Sequence, residues 1–168
     1  MFSLAENRFL GPEDGWAKVK LWGMGIASQD INADGKPDVM LTSMGDQLLQ
    51  FYERDGKFTD APFSLGTYSH RPYTGGDGRP STGWHAEFGD INNDGLPDLF
   101  IAKGNVDQMP GMAMKDPNNL LIQQSDGTFV EAGLEAGLAD PERSRGATLI
   151  DFNLDGRLDI AVMNRRAP

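Results

Sequence analysis

Three nine-residue segments constrain this chain more than anything else in it. They are Asp30-Ile31-Asn32-Ala33-Asp34-Gly35-Lys36-Pro37-Asp38, Asp90-Ile91-Asn92-Asn93-Asp94-Gly95-Leu96-Pro97-Asp98 and Asp151-Phe152-Asn153-Leu154-Asp155-Gly156-Arg157-Leu158-Asp159. Their first aspartates lie 60 and 61 residues apart, which marks a structural repeat. A single Asp-x-Asn-x-Asp-Gly segment is satisfied by an ordinary turn, because Asn, Asp and Gly tolerate turn geometry. Three copies at near-constant spacing point to a shared task.

Oxygen-bearing side chains stand at positions 1, 3, 5 and 9 of each segment, with glycine at position 6. Alternate oxygens converge when a loop curls around a hard cation, and calcium takes six to eight oxygens at about 2.3–2.6 Å. Asp30, Asn32, Asp34 and Asp38 offer side-chain oxygens, with the carbonyl of Lys36 as a fifth donor. The same roles fall to Asp90, Asn92, Asp94, Leu96 and Asp98, and to Asp151, Asn153, Asp155, Arg157 and Asp159. Glycine at position 6 allows the positive φ that turns positions 5 and 7 toward one ion. The expected cofactor is Ca²⁺, about three ions per chain, one per loop. An EF-hand is excluded. Its loop ends in a bidentate glutamate at position 12 between helices, whereas here that position holds Leu41, Ile101 and Val162 amid apolar β-formers.

A nine-residue calcium loop joining two strands resembles the FG-GAP or VCBS repeat of integrin-alpha-like β-propellers. Flanking residues extend the match: Asn118-Asn119-Leu120-Leu121, Asp126-Gly127-Thr128-Phe129-Val130-Glu131, Ala136-Gly137-Leu138-Ala139-Asp140, and Arg145-Gly146-Ala147 leading into Asp151. This pattern is similar to the ASPIC/UnbV (CRTAC1-like) branch, in which a hairpin precedes each calcium loop. The resemblance implies an all-β fold of four-stranded antiparallel propeller blades. It also implies an extracellular protein that works by adhesion or interaction. Asparagine at position 3 of every loop departs from the acidic residue of the family pattern and removes one charge per site.

Composition agrees with many turns and little helix: 21 glycines and 10 prolines in 168 residues. That length fits one domain with a real core. The net charge of −10 argues against nucleic acid as a partner, since phosphates are repelled. Nine of the 25 acidic residues lie in the three loops, so the acidity is partly a metal-binding feature. Three calcium ions bring the formal charge to about −4, and the metal-free form is expected to suffer clustered repulsion. There is no cysteine, hence no disulfide or thiolate site. No apolar run approaches the roughly 20 residues of a membrane span. Loops of moderate charge suit millimolar calcium, so the expected location is extracellular or periplasmic.

Read in order, residues 7–19 form an outer hairpin around Asp14-Gly15. Residues 24–60 form a blade, 82–131 a second blade, and 145–164 the inner strands of a third. Each metal loop joins strands A and B, and each Asp-Gly turn joins C and D. By parity both kinds of turn share one face, and insertions at 61–80 and 104–117 share the other. Two whole blades with a half blade at each end fall short of the four to eight blades usual in propellers. The expected partners are therefore other blades, from the same protein or another chain, and a protein or carbohydrate ligand.

Catalytic signals are sparse. His85 stands where the other repeats have Gly25 and Gly146, and Glu87 follows on the same strand face. Tyr68, His70, Arg71 and Tyr73 gather in the first insertion, a composition suited to gripping a sugar or an acidic group. Together with His85 they form the candidate ligand site. They also carry the alternative reading, a polysaccharide-active lyase or hydrolase on a calcium-stabilised propeller. The Met-rich stretch 108–114 can dock a neighbour or fill a gap between blades. Val39, Leu41, Leu99, Ile101, Ile160 and Val162 are read as core, and Trp16, Trp22 and Trp84 as wedges between blades.

Overall fold

Apolar residues alternate on both sides of each nine-residue loop, so each loop folds as the connection of an antiparallel strand pair. A computed structural model describes residues 21–44, 47–68, 82–105, 116–139 and 141–165. The first blade contains β1 (Ile26–Gln29), β2 (Asp38–Leu41), β3 (Leu48–Tyr52) and β4 (Phe58–Asp60). The second contains β5 (Gly83–Gly89), β6 (Asp98–Lys103), β7 (Asn119–Gln123) and β8 (Phe129–Glu131). Strands β9 (Ser144–Ile150) and β10 (Asp159–Asn164) form a two-stranded sheet. Each sheet is antiparallel with its strands in sequence order. This is the expected all-β architecture of open propeller blades, two whole and one half. The outer hairpin at 7–19 lies outside the described residues.

Register explains where the core sits. Ala27 pairs with Met40 and Met40 with Leu49, which places one apolar row on a single face of the first blade. Phe88 pairs with Leu99 and Leu99 with Leu121, forming the facing row of the second. Ile31, Met40, Leu49 and Ala61 then pack with Ala86, Leu99, Ile101, Leu121 and Phe129 as one core between the two sheets. On the other face of the second blade, the row containing Phe100 and Leu120 is also buried. There the half blade covers it: a Cβ at Gly89 would meet the side chains of Leu149 and Leu158.

Among the described residues only the middle blade has a neighbouring sheet on both sides. Leu99 and Ile101 are completely buried, as expected, whereas Val39, Leu41, Ile160 and Val162 are half-buried. Trp84 wedges between blades: its Nε1–H donates to Gly104 O at 2.7 Å, and the Arg145 guanidinium lies 4.3 Å from its ring centroid. Trp22 corrects the expectation. It is 66 % exposed, with no described element covering it. Trp16 lies outside the described residues.

At the face opposite the nine-residue loops, polar groups are buried in quantity. Lys103 Nζ lies 3.0 Å from Asp116 Oδ1 with both side chains fully buried, which joins the two ends of the second insertion. Nearby, Glu131 accepts backbone N–H groups from Gly133 at 2.7 Å and Leu120 at 3.3 Å, and the side-chain amide of Asn119. Burial is the largest influence on Glu131 and pushes its carboxyl above the ordinary range, although these donors and Lys103 pull the other way. A raised folded-state pKa means this group favours folding below the ordinary glutamate range, and that contribution disappears as pH rises through the raised value. We therefore expect Glu131→Gln, which removes the charge and keeps acceptors for both N–H groups, to flatten the pH dependence of unfolding. Urea titrations in chelator at pH 4.5 and 7 test this; equal slopes for mutant and parent contradict it.

Candidate metal centre

Each nine-residue loop is built from its own side chains binding its own backbone. In the first, Asp34 N–H donates to both Asp30 Oδ1 and Asn32 Oδ1 at 3.0 Å, and Gly35 N–H to Asp30 Oδ2 at 2.8 Å. The second repeats this with Asp94 N–H on Asp90 and Asn92, and Gly95 N–H on Asp90. The third does so with Asp155 N–H on Asp151 and Asn153, and Gly156 N–H on Asp151. The oxygens of positions 1 and 3 thus meet at one point in all three loops. Glycine at position 6 has φ of 81°, 86° and 84°, as anticipated. Position 4 is also left-handed, with φ of 57° at Ala33, 59° at Asn93 and 61° at Leu154. That strain falls on residue types that gave no signal of it, since only asparagine among them favours this region.

Position 9 does more than donate an oxygen. Asp38 and Asp98 are fully buried. Asp38 Oδ2 accepts Ile31 N–H at 3.0 Å and its Oδ1 accepts Tyr52 N–H at 2.9 Å. Asp98 likewise accepts Ile91 N–H and Gln123 N–H, both at 2.9 Å. Each carboxylate therefore fastens the start of its loop to the end of the third strand, which puts metal loops and Asp-Gly turns at one edge, as parity required. Burial raises both carboxyls above the usual range, opposed by these N–H donors. Asp159 Oδ2 accepts Phe152 N–H at 3.0 Å, but its sheet has no third strand among the described residues.

Position 5 differs between copies. Lys36 Nζ donates to Asp34 Oδ2 at 3.0 Å and holds that exposed carboxyl below its ordinary range. In the other two loops the asparagine amide takes this place, Asn92 Nδ2 on Asp94 Oδ2 at 2.8 Å and Asn153 Nδ2 on Asp155 Oδ2 at 3.0 Å.

Can these loops hold a cation? Their side-chain donors are all hard oxygens, the set that suits calcium. Each carboxylate oxygen has lone pairs beyond those given to N–H groups. Among the described residues, no three His, Cys, Asp or Glu side chains form a ready cluster, because one donor per loop is asparagine and the ninth-position carboxylates face the backbone. The donor set fits; the ring of acceptors now faces N–H groups of the loop itself.

The candidate ligand residues are only partly described. His85 Nε2 lies 3.4 Å from Glu87 Oε2, both half-buried on the innermost strand of the second blade. Tyr68 follows the outermost strand of the first blade; its hydroxyl donates to Ala61 O at 3.2 Å and its ring lies 5.2 Å from Phe63. His70, Arg71 and Tyr73 lie outside the described residues.

The family profile described as "FG-GAP-like repeat" matches residues 30–101, from the first nine-residue loop to the strand after the second. Over those residues the chain is similar to that repeat family. It is similar to cartilage acidic protein 1 from Homo sapiens, 36% identical over 97 residues, covering 57% of this chain and 12% of that protein. The Xenopus tropicalis protein is 34% identical over 97 residues with the same coverage. The Mus musculus protein is 45% identical over 53 residues, or 31% of this chain and 8% of that one. The matches therefore span about an eighth or less of these relatives, and they agree with the branch that the third repeat resembles.

The double use of position 9 gives a prediction independent of metal. In chelator, Asp98→Ala leaves two backbone N–H groups from different elements without their acceptor, and is expected to cost about 2–4 kcal/mol. Asp159→Ala removes one N–H contact at a half-buried position and should cost less than about 2 kcal/mol. Urea midpoints check both; an equal loss for the two removes position 9 from its fastening role.

Proposed function

We propose that this chain is a calcium-binding β-propeller module that acts outside the cytoplasm, extracellular or periplasmic, in binding and assembly. The observation that carries this reading is the threefold recurrence of a loop whose side-chain donors are all hard oxygens. Positions 1, 3, 5 and 9 with the carbonyl of position 7 would hold each ion. When bound, calcium neutralises clustered carboxylates. The chain's own residues do the rest: the ninth-position aspartates link loop to sheet, so strain relieved at a loop reaches the blade. Moderate loop charge suits the millimolar calcium found outside cells. Among the described residues, no helix is long and apolar enough to cross a membrane.

The partners of this reading are further propeller blades and a protein or carbohydrate ligand; a net charge of −10 disfavours nucleic acid. The open sides of the described stack, with Trp22 and Ile26 exposed at one end and Ile150 and Met163 at the other, suit lateral packing by such blades. A polysaccharide-active lyase or hydrolase is the alternative, and its support is the His85–Glu87 contact, two side chains of the types that serve as acid and base.

Thermal unfolding tests the calcium reading. At calcium about a hundredfold above Kd, a single occupied site is expected to raise the transition by roughly 5–10 °C over chelator. Magnesium should do less, because it demands tighter octahedral geometry. Identical transitions in calcium and chelator would remove the proposal.

A further inference from the structure

The three loops are not separate. Asn93, at position 4 of the second loop, sends its Nδ2–H to Gly156 O at position 6 of the third, 3.2 Å away and 63 residues on. The peptide of that carbonyl continues into Arg157 N–H, which donates to Asp155 Oδ1 at 2.9 Å. Asn93 therefore reaches a proposed donor of the third loop through one rigid peptide plane. A second link runs the other way. Gln123, buried at the end of β7, gives its backbone N–H to Asp98 Oδ1 and its Nε2–H to Ile31 O at 3.0 Å. Ile31 in turn gives its N–H to Asp38 Oδ2. The ninth-position carboxylates of loops one and two are thus joined through two residues.

These links depend on residue identities that vary among the repeats. Position 4 is Ala33 in the first loop and Leu154 in the third, and neither carries an amide. Tyr52 occupies the place of Gln123 in the first blade, and its hydroxyl instead accepts Gly56 N–H at 3.1 Å. The second loop alone has a link on each side among the described residues.

Resting on the calcium reading above, we infer that the second loop is a hub and that the loops bind cations with positive cooperativity through Gln123 and Asn93. The physical cause is shared ordering. An ion that fixes the second loop also fixes the acceptors of Asn93 and Gln123, so a neighbouring loop has less freedom left to lose. The effect is reciprocal between the loops. Asn93 and Gln123 are positioning residues; neither is assigned as a ligand.

The test follows the amide resonances of Gly35, Gly95 and Gly156, one per loop, each N–H bound to a carboxylate of its own loop. In the parent chain they should respond to calcium over one shared range. Asn93→Ala, at an exposed site, should raise the midpoint of Gly156 about three- to tenfold and leave Gly35 and Gly95 together. Gln123→Met should separate Gly35 from Gly95, and if that buried change prevents folding, Asn93→Ala alone decides the matter. Without calcium, Asn93→Ala should shift the Gly156 and Arg157 amides and not Gly35. Calcium binding with unchanged midpoints in Asn93→Ala overturns the coupling and leaves the calcium reading standing. No response at any of the three glycines removes that reading and the coupling with it.

Discussion

A buried carboxylate at the head of the second strand of each whole blade is the constraint on which the blades depend. Asp38 and Asp98 are taken wholly out of water, a step that is costly for an ion unless its lone pairs are used. Each meets that demand with two N–H groups, one from the loop that precedes it and one from the third strand. One side chain therefore closes the loop, begins a strand and fixes where the next hairpin ends. The register of the sheets follows from it. In both blades the third strand donates from the residue two beyond the first pair, Tyr52 after Gln50 and Gln123 after Leu121.

Lateral packing adds the second dimension. A blade has two faces, and each must be covered or left wet. The middle blade buries Leu99 and Leu121 toward one neighbour and Phe100 and Leu120 toward the other. Fully burying a side chain of this kind contributes about 1.5–3 kcal/mol, so these rows dominate cohesion between sheets. Among the described residues the outer sheets have such a neighbour on one face only. In the first blade the alternation is as regular as in the middle blade, yet Val39 and Leu41, on the face away from the core row, are only half-buried. Pattern specifies which face is apolar; a neighbour decides how far it is buried.

That distinction accounts for what the sequence revealed. Loops and Asp-Gly hairpins were legible because their chemistry is local: glycine or Asx turns at fixed positions, with a two-residue apolar period on either side. Strand ends moved by a residue or two, as at Gly83–Gly89, where a bulge near Trp84 resets the pairing. Contacts made across long sequence separations were not legible. Nothing in the local pattern marks Ala33 or Leu154 as left-handed, or Lys103 and Asp116 as a buried pair. The amide of Asn93 looks like an ordinary turn residue until the third loop is beside it. Trp22 shows the converse failure, since a large aromatic side chain signals packing without saying that a neighbour is present.

The contacts within the loops bear on what a cation would contribute under the proposed calcium reading. In a protein whose metal site does not exist without metal, binding free energy is folding free energy. Here the acceptors at positions 1 and 3 already hold backbone N–H groups, and the ninth-position carboxylates already hold two elements together. The turn is organised by its own amides. What these contacts leave uncompensated is charge, because a hydrogen bond neutralises nothing and each loop carries three aspartates. The first loop offsets part of this with Lys36 on Asp34, while the others place an uncharged amide there. Under the calcium reading proposed above, an ion would add charge balance to an existing frame, so its effect would be an increment on the stability of the blade, differing from one loop to the next according to the cation the chain itself already supplies.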